Sequence, residues 1–393
     1  MTTDIAADDD TELEPPVHGR ASEAELARVR AKIGQIVTIN EPPHLTEATR
    51  DSVRHWAHAT GDRNPLYLDE AYAKRSRHGG LIAPPCQLYA YSRISIGYRG
   101  GLPGVHSFFA GSHWTWHEAI RVGERITPEV TFKDLEELPS KFAGRMFKQI
   151  SLIRFVNGDG RELARADSWG MRVERVKARE KGKYNTLKLA DPYTADQLAE
   201  IAALYAQERC RGADTLYFED VAVGDAPPQI VRGPYTPTIA VAFEQAWGGL
   251  FIKAHGYWFD YLRRHPAAGI ANAYNIPEPP EAVHWDSPLA RSVGVPEAYD
   301  YGPERVAWLA TMLTNWIGDD GHLAELYCEI RRFNLVGDLT YCRGTVESCR
   351  ARDATSGEVR VKIEAVDQRG DMNATGWAVV VLPRRRAETV GSS

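Results

Sequence analysis

The hydrophobic and polar positions of this chain change period several times, and the changes come in the same order twice. Residues 47–60 follow a helical period. Thr46 can cap the run, Val53, Trp56 and Ala57 share one face, Arg50 and Arg54 take another, and Gly61 stops it. After a turn, residues 69–74 predict a short helix. Residues 86–96, opened by Pro84-Pro85, are apolar nearly all round, the pattern of a buried helix. The period then drops to two. Residues 113–117, 125–132, 145–155 and 162–173 alternate as strands. Val122-Gly123-Glu124, Glu136-Glu137-Leu138-Pro139-Ser140 and Asn157-Gly158-Asp159-Gly160 between them are hairpin material.

The second pass begins near Tyr217. Thr236-Pro237 opens a helix that ends at Gly248-Gly249, as Thr46 opens one that ends at Gly61. Residues 303–317 carry Val306, Leu309, Ala310, Leu313, Trp316 and Ile317 on one stripe, and strands follow at 324–333, 339–350, 359–368 and 374–381. Local echoes align the passes. Leu66-Tyr67-x-Asp69-x-x-x-Ala73 matches Val283-His284-x-Asp286-x-x-x-Ala290, and Val122-Gly123-Glu124 matches Val336-Gly337-Asp338. Between Gly249 and Ala282 the second pass carries an insertion of about thirty residues, aromatic at 255–261 and 272–275, placed to wrap that unit's site. Helix first and antiparallel strands after is an α+β layer pattern, present here in two fused copies.

The boundaries read as 23–176 and 215–383. Residues 1–22 form an acidic, aperiodic tail expected to be disordered, 177–214 a linker holding an amphipathic helix at 193–209, and 384–393 a flexible tail. Residues 23–34 predict a short charged helix with a glycine stop. At 393 residues, 43% hydrophobic and 25% charged, the composition is that of a globular protein with more than one core. The net charge of −6 comes from Asp4, Asp8, Asp9, Asp10, Glu12 and Glu14 alone; without them acids and bases balance. A neutral body argues against a nucleic-acid partner. No secretory signal or membrane span is expected, and the five cysteines form no Cys-x-x-Cys pair, which makes a reducing cytoplasm the default.

Gly61-Asp62-Arg63-Asn64-Pro65 is turn chemistry, and alone it would be an ordinary loop. Its setting adds more. Gly-Asp-x-Asn-Pro-Leu-aromatic-x-Asp, followed by Gly80-x-Ile82-Ala83-Pro84 and a buried helix, resembles the MaoC-like dehydratases and R-specific enoyl-CoA hydratases. His284-Trp285-Asp286, Gly302-Pro303 and Phe333…Val336-Gly337-Asp338 resemble the same family. The likeness covers about residues 30–176 and 215–383. It implies a double hot-dog fold, a helix wrapped by antiparallel sheet in each unit, acting on an enoyl-CoA or 3-hydroxyacyl-CoA thioester, or one on an acyl carrier protein. It also implies a homodimer or a complex with another hot-dog subunit, and no metal or redox cofactor.

In that family an Asp and a His, five residues apart, activate a water for addition to C3, and backbone N–H groups at the buried helix's start polarise the thioester carbonyl. Both halves depart from this. The first keeps Asp62 and Asn64 but has Tyr67 at the His position, and Pro85 lacks an N–H, leaving Cys86 as the nearest donor. The second has His284 and Gly302, with Pro279 where Asp is expected; Glu281 or Glu278 would then partner His284. Tyr301, Asp69 and Asp286 are the further candidate substrate contacts. Three accounts follow: catalysis in the second half, catalysis in the first with Asp62 as base and Tyr67 assisting, or acyl-thioester binding without catalysis. Thioester hydrolysis, which the fold also supports, is a weaker fourth.

His113 and His117 share strand parity and either line the first half's pocket or face solvent. His55 and His58 lack a third ligand and read as helix surface. Gly97-x-x-Gly100-Gly101-x-x-Gly104 follows a helix rather than a strand, so it is a loop and not a dinucleotide fingerprint.

Overall fold

The computed structural model describes residues 21–37, 42–96, 102, 105–139, 145–173, 187–249 and 252–385. The expected tails at 1–20 and 386–393, most of the glycine-rich segment 97–104 and the linker stretch 174–186 lie outside the described residues.

Nine antiparallel strands form one continuous sheet. The first half supplies β1 (His106–Trp116), β2 (Ile126–Leu138), β3 (Met146–Asn157) and β4 (Glu162–Val173). The second supplies β5 (Ile230–Arg232), β6 (His322–Ile330), β7 (Thr340–Ala351), β8 (Ser356–Asp367) and β9 (Met372–Pro383). Their order is β2-β3-β4-β1-β6-β9-β8-β7-β5, so the halves mirror each other about the β1–β6 seam. At the seam Trp114 pairs with Leu326 and His113 with Tyr327. Opposed residues share a face. Trp114 and Leu326 are therefore both buried toward the helices, while His113 and Tyr327 stand on the other side.

The second half's core helix, Gly302–Ile317, is buried at every residue from Pro303 onward. The first half lacks an equal. Where a single helix over 86–96 is expected, a 3-10 helix at Pro85–Tyr91 is followed by an extended Ser92 and one helical turn at Arg93–Ile96. Pro84 and Pro85 bring no N–H groups to the start, and the run winds in the tighter three-residue turn. Within it the Tyr89 hydroxyl is met, accepting from Trp114 Nε1 at 3.0 Å and sharing a 2.7 Å hydrogen bond with Ser112, while the buried Gln87 amide and Tyr91 hydroxyl have no hydrogen-bond partner among the described residues.

The two paired helices before the turn pack on each other across the halves, with Trp56 and Phe243 rings 5.5 Å apart. The first, Arg50–Thr60, starts later than the Thr46 reading: Thr49 and Ser52 form a capping box. The backbone of Thr46 instead accepts from Ile126. The second, Pro237–Trp247, is capped by Thr236 as expected. No described helix is long and apolar enough to cross a membrane.

Candidate active sites in the two halves

In the first half Gly61 ends its helix in the left-handed region at φ 69°, and the turn after it buries Asp62. Both carboxylate oxygens of Asp62 are engaged. Oδ1 accepts the Asn64 N–H at 3.0 Å, and Oδ2 accepts from Thr311 Oγ1, on the second half's core helix, at 2.9 Å. Burial raises the Asp62 pKa, against the pull of these hydrogen bonds. Asn64 caps the turn Pro65–Leu68 through its own Oδ1, 3.0 Å from the Leu66 nitrogen. The buried Tyr67 hydroxyl lies beside Thr314, and burial, then the Asp62 charge, pushes it well above the ordinary tyrosine range. Arg232 braces the same turn from the second half, donating to the Thr60 and Gly61 carbonyls while pairing with Glu208 at 2.8 Å.

Beside this cluster lies a cleft of about 540 Å³, part of it open to solvent, lined among others by Asn64, Tyr67, Pro85, Trp116, Thr314 and His322. Cys86 is buried one residue on, at the start of the 3-10 helix. The first half's turn therefore borders a cleft that the second half helps to line, and one oxygen of its carboxylate bonds across to the second half.

In the second half His284 ends the 3-10 helix Pro280–His284, with its Nδ1 2.8 Å from the Tyr299 carbonyl oxygen. A carbonyl can only accept, so Nδ1 carries the proton and Nε2 is the acceptor nitrogen of the neutral ring. Burial lowers the pKa to about 4, outweighing the backbone hydrogen bonds at Tyr299 and Asp300, so the ring is neutral at physiological pH. The imidazole lies on the Tyr301 ring at 3.7 Å between centroids and meets the edge of Tyr299 at 4.6 Å.

Tyr301 is the N-cap of the core helix, and Gly302 is its first residue. A Cβ at Gly302 would come within 2.5 Å of the Phe109 ring from β1, so the close approach of the halves requires glycine there. The helix start offers the Gly302 N–H and the positive end of the helix dipole beside the histidine; Pro303 has no N–H, and that of Glu304 donates to the Tyr301 carbonyl. A buried ion pair, Arg305 to Asp300 at 2.7 Å, and a Tyr235 hydroxyl donating to Glu304 at 3.0 Å fix this end. Burial raises Asp300 to about 7 although Arg305 pulls the other way.

Several expected site residues are placed elsewhere. His113 and His117 do not line the cleft: His113 stands on the outer face with Glu325, 3.0 Å away, and His117 is exposed beside Glu162. Asp69 and Asp286 are helix caps, accepting from the Tyr72 and Leu289 N–H groups, which explains their matching positions without a substrate. Glu278 accepts from Asn272 within the insertion's short hairpin. Glu281 is buried on the same turn as His284, but its charge acts on Glu244.

Glu244 was not a sequence candidate. It is 8% exposed, and burial, then the Glu281 charge, pushes it to about 8 against the pull of the Tyr301 hydroxyl. The available signal was a lone acid among Ala240, Phe243 and Trp247 on the buried face of an otherwise apolar helix.

A continuous antiparallel sheet wrapped on two helical layers, with a histidine at the core helix's start, defines a double hot-dog protein. Residues 36–164 match the family model described as FAS1-like, dehydratase domain region. One solved structure, named MaoC-like dehydratase, superposes with a TM-score of 0.63 at 18% identity, covering 91% of this chain and 100% of its own. A conserved hypothetical protein from Mycobacterium tuberculosis, described as having a double hotdog fold, gives 0.53 at 12% identity over 89% and 96%. These likenesses show a double hot-dog fold. Among curated proteins, 45 residues are 38% identical to the 3-oxo-4,17-pregnadiene-20-carboxyl-CoA hydratase alpha subunit of Mycobacterium tuberculosis (strain ATCC 25618 / H37Rv), 12% of this chain and 14% of that one. A 3-hydroxybutyryl-CoA dehydratase of Methylorubrum extorquens is 29% identical over 133 residues, 32% of this chain and 82% of that one. The chain thus matches only about a seventh of the first relative's length.

Proposed function

We propose that this protein adds water to an enoyl-CoA thioester, or removes it from a 3-hydroxyacyl-CoA, in its second half. The observation that carries the reading is the Nδ1 contact of His284 with the Tyr299 carbonyl, which leaves Nε2 as a neutral base at the start of the core helix. In hydration, water attacks C3 and gives its proton to Nε2. Charge growing on the thioester oxygen meets the Gly302 N–H, and C2 then takes a proton. This chemistry changes no net oxidation state and calls for no cofactor. Two relatives named as a CoA-thioester hydratase subunit and a dehydratase support the substrate class. The five free cysteines suit a reducing compartment.

The first half supports a second role. It borders the cleft with Asn64 and Tyr67 while its carboxylate bonds to Thr311, an arrangement that supports holding the acyl group.

The test is loss of conjugated-enoyl absorbance across a panel of enoyl-CoAs, with the protein alone and with another hot-dog protein added. Turnover that His284→Ala abolishes supports the reading. No turnover of any chain length or ring-bearing acyl group overturns it, and release of free thiol would point to hydrolysis instead.

A further inference from the structure

The cleft beside the Asp62 turn is built by both halves, and each contributes a polar atom that the fold does not use. Asn64 comes from the first half's turn, and His322 opens β6 in the second half. The His322 ring is fixed through Nε2, 2.9 Å from the Trp116 carbonyl oxygen. Nε2 therefore carries the proton, and Nδ1 is the acceptor nitrogen. Burial lowers the pKa of this ring, against the pull of the Trp116 hydrogen bond, and keeps it neutral at physiological pH. Trp116 is itself held, its Nε1 donating to the Pro85 carbonyl at 3.1 Å. Asn64 Oδ1 accepts the Leu66 N–H, which leaves the Nδ2 amino group as a donor.

Neither His322 Nδ1 nor Asn64 Nδ2 has a hydrogen-bond partner among the described residues, and neither is sealed from solvent. Other polar side chains of the cleft are engaged. Arg77 donates to the Gly321 carbonyl at 2.9 Å, Thr314 to the Thr311 carbonyl at 3.2 Å, and Asp319 accepts from the Tyr72 hydroxyl at 2.7 Å. Much of the remaining wall is apolar, with Leu66, Trp116 and Ile120 among it. A ligand here thus meets one free acceptor and one free donor. A hydroxyl answers both, donating to Nδ1 and accepting from the amide. A ketone would leave Nδ1 unpaired, and an alkyl group would leave both.

We infer that this cleft reads a hydroxyl on the acyl group of the thioester, with His322 accepting its hydrogen bond and Asn64 donating one to its oxygen. This rests on the reading that the first half holds the acyl group of a thioester hydrated in the second. The substrate class is then a hydroxylated enoyl-CoA, its hydroxyl beyond C3, rather than one with a plain alkyl chain. The amides of the pantetheine arm also pair a donor with an acceptor, but every acyl-CoA carries them, so they set no preference between acyl groups. His322 and Asn64 act here as specificity residues, and no bond is made or broken at them.

The test is steady-state kinetics of the full-length chain on pairs of enoyl-CoAs matched in carbon skeleton, one of each pair bearing a hydroxyl at a position varied along the acyl group. The wild type is expected to favour at least one hydroxylated member by about tenfold or more in kcat/KM, chiefly through KM, because its partner leaves two polar groups unpaired. His322→Phe removes the acceptor and should bring that ratio close to one. His322→Gln, which can donate to the Trp116 carbonyl and still accept from the hydroxyl, should keep part of it. A cooperative melting transition establishes that each variant is folded. If His322→Phe does not fold, Asn64→Asp carries the same ratio test, since it keeps an acceptor for the Leu66 N–H and removes the donor. A folded His322→Phe, or in its place a folded Asn64→Asp, with the full wild-type preference would overturn the assignment. An active wild type with equal kcat/KM across every pair would overturn it too, and would leave the hydratase reading standing. A wild type that turns over no enoyl thioester would remove that reading and this inference with it.

Discussion

The two halves of this protein build the same sheet around unlike centres. In the second, a sixteen-residue helix is buried along its length and opens on glycine, with a neutral histidine against its start. In the first, two prolines open a 3-10 turn, and the motif's acid is bonded to a threonine of the other half. The polar residues that name the family are thus more complete in the half whose geometry suits catalysis less. A motif fixes which side chains are present, while the partners that claim their oxygens and nitrogens decide what those side chains can do.

Exchanging the differing residues should break this comparison most sharply. His284→Tyr gives the second half the first half's residue and should cost between about 100-fold and 10,000-fold in kcat, the usual worth of a general base. The reciprocal Tyr67→His should gain nothing, because Pro85 offers no N–H and each Asp62 oxygen already accepts a hydrogen bond that holds it in place; turnover by a Tyr67→His/His284→Ala chain would refute the division of labour. Thr311→Val comes next. It removes the donor to a buried carboxylate and should destabilise the fold by about 1–3 kcal/mol in urea melts while leaving kcat in place. A fall in kcat at full folding would instead give Asp62 a part in the chemistry.

Two smaller effects concern pH. The base form of His284 is lost only as pH falls through about 4, so the acid limb of kcat/KM should lie near there rather than near 6.5. An acid limb at 6.5 would mean that the ring is not held neutral. Glu244 has the opposite sign. Its folded pKa is about 8 against an ordinary 4.5, so its contribution to stability is full below 4.5 and is lost as pH rises through 8. Glu244→Gln, neutral throughout, should therefore flatten the decline in melting temperature over that window. An unchanged slope would place the decline on other buried acids such as Asp300, whose folded pKa is also raised.

The sheet, the internal repeat and the insertion were legible because each rests on a period that local sequence carries. Residues 162–173, read as a strand from alternation, are β4 from Glu162 to Val173. The broken helix was less legible, since an all-apolar run has the same composition in either winding and only Pro84-Pro85 hinted at the difference. Asp69 and Asp286 misled for a related reason: a cap and a ligand both place a carboxylate before a helix. Strand parity put His113 and His117 on one face without saying which face met a cleft. Glu244 was hidden by distance in sequence. A search for an acid around Pro279 follows the chain, while Glu244, whose charge couples to Glu281, comes from a helix some forty residues earlier.

The seam between β1 and β6 makes each half the cover of the other's edge. Separated at the linker, each half would present a bare strand edge beside an uncovered apolar residue, Trp114 on one side and Leu326 on the other. Such edges invite pairing with the wrong chain. Fusion supplies each edge with its proper neighbour at a fixed one-to-one ratio, at any protein concentration. Each half thus shields the other's edge, so a truncation at the linker is expected to yield aggregate rather than a folded half.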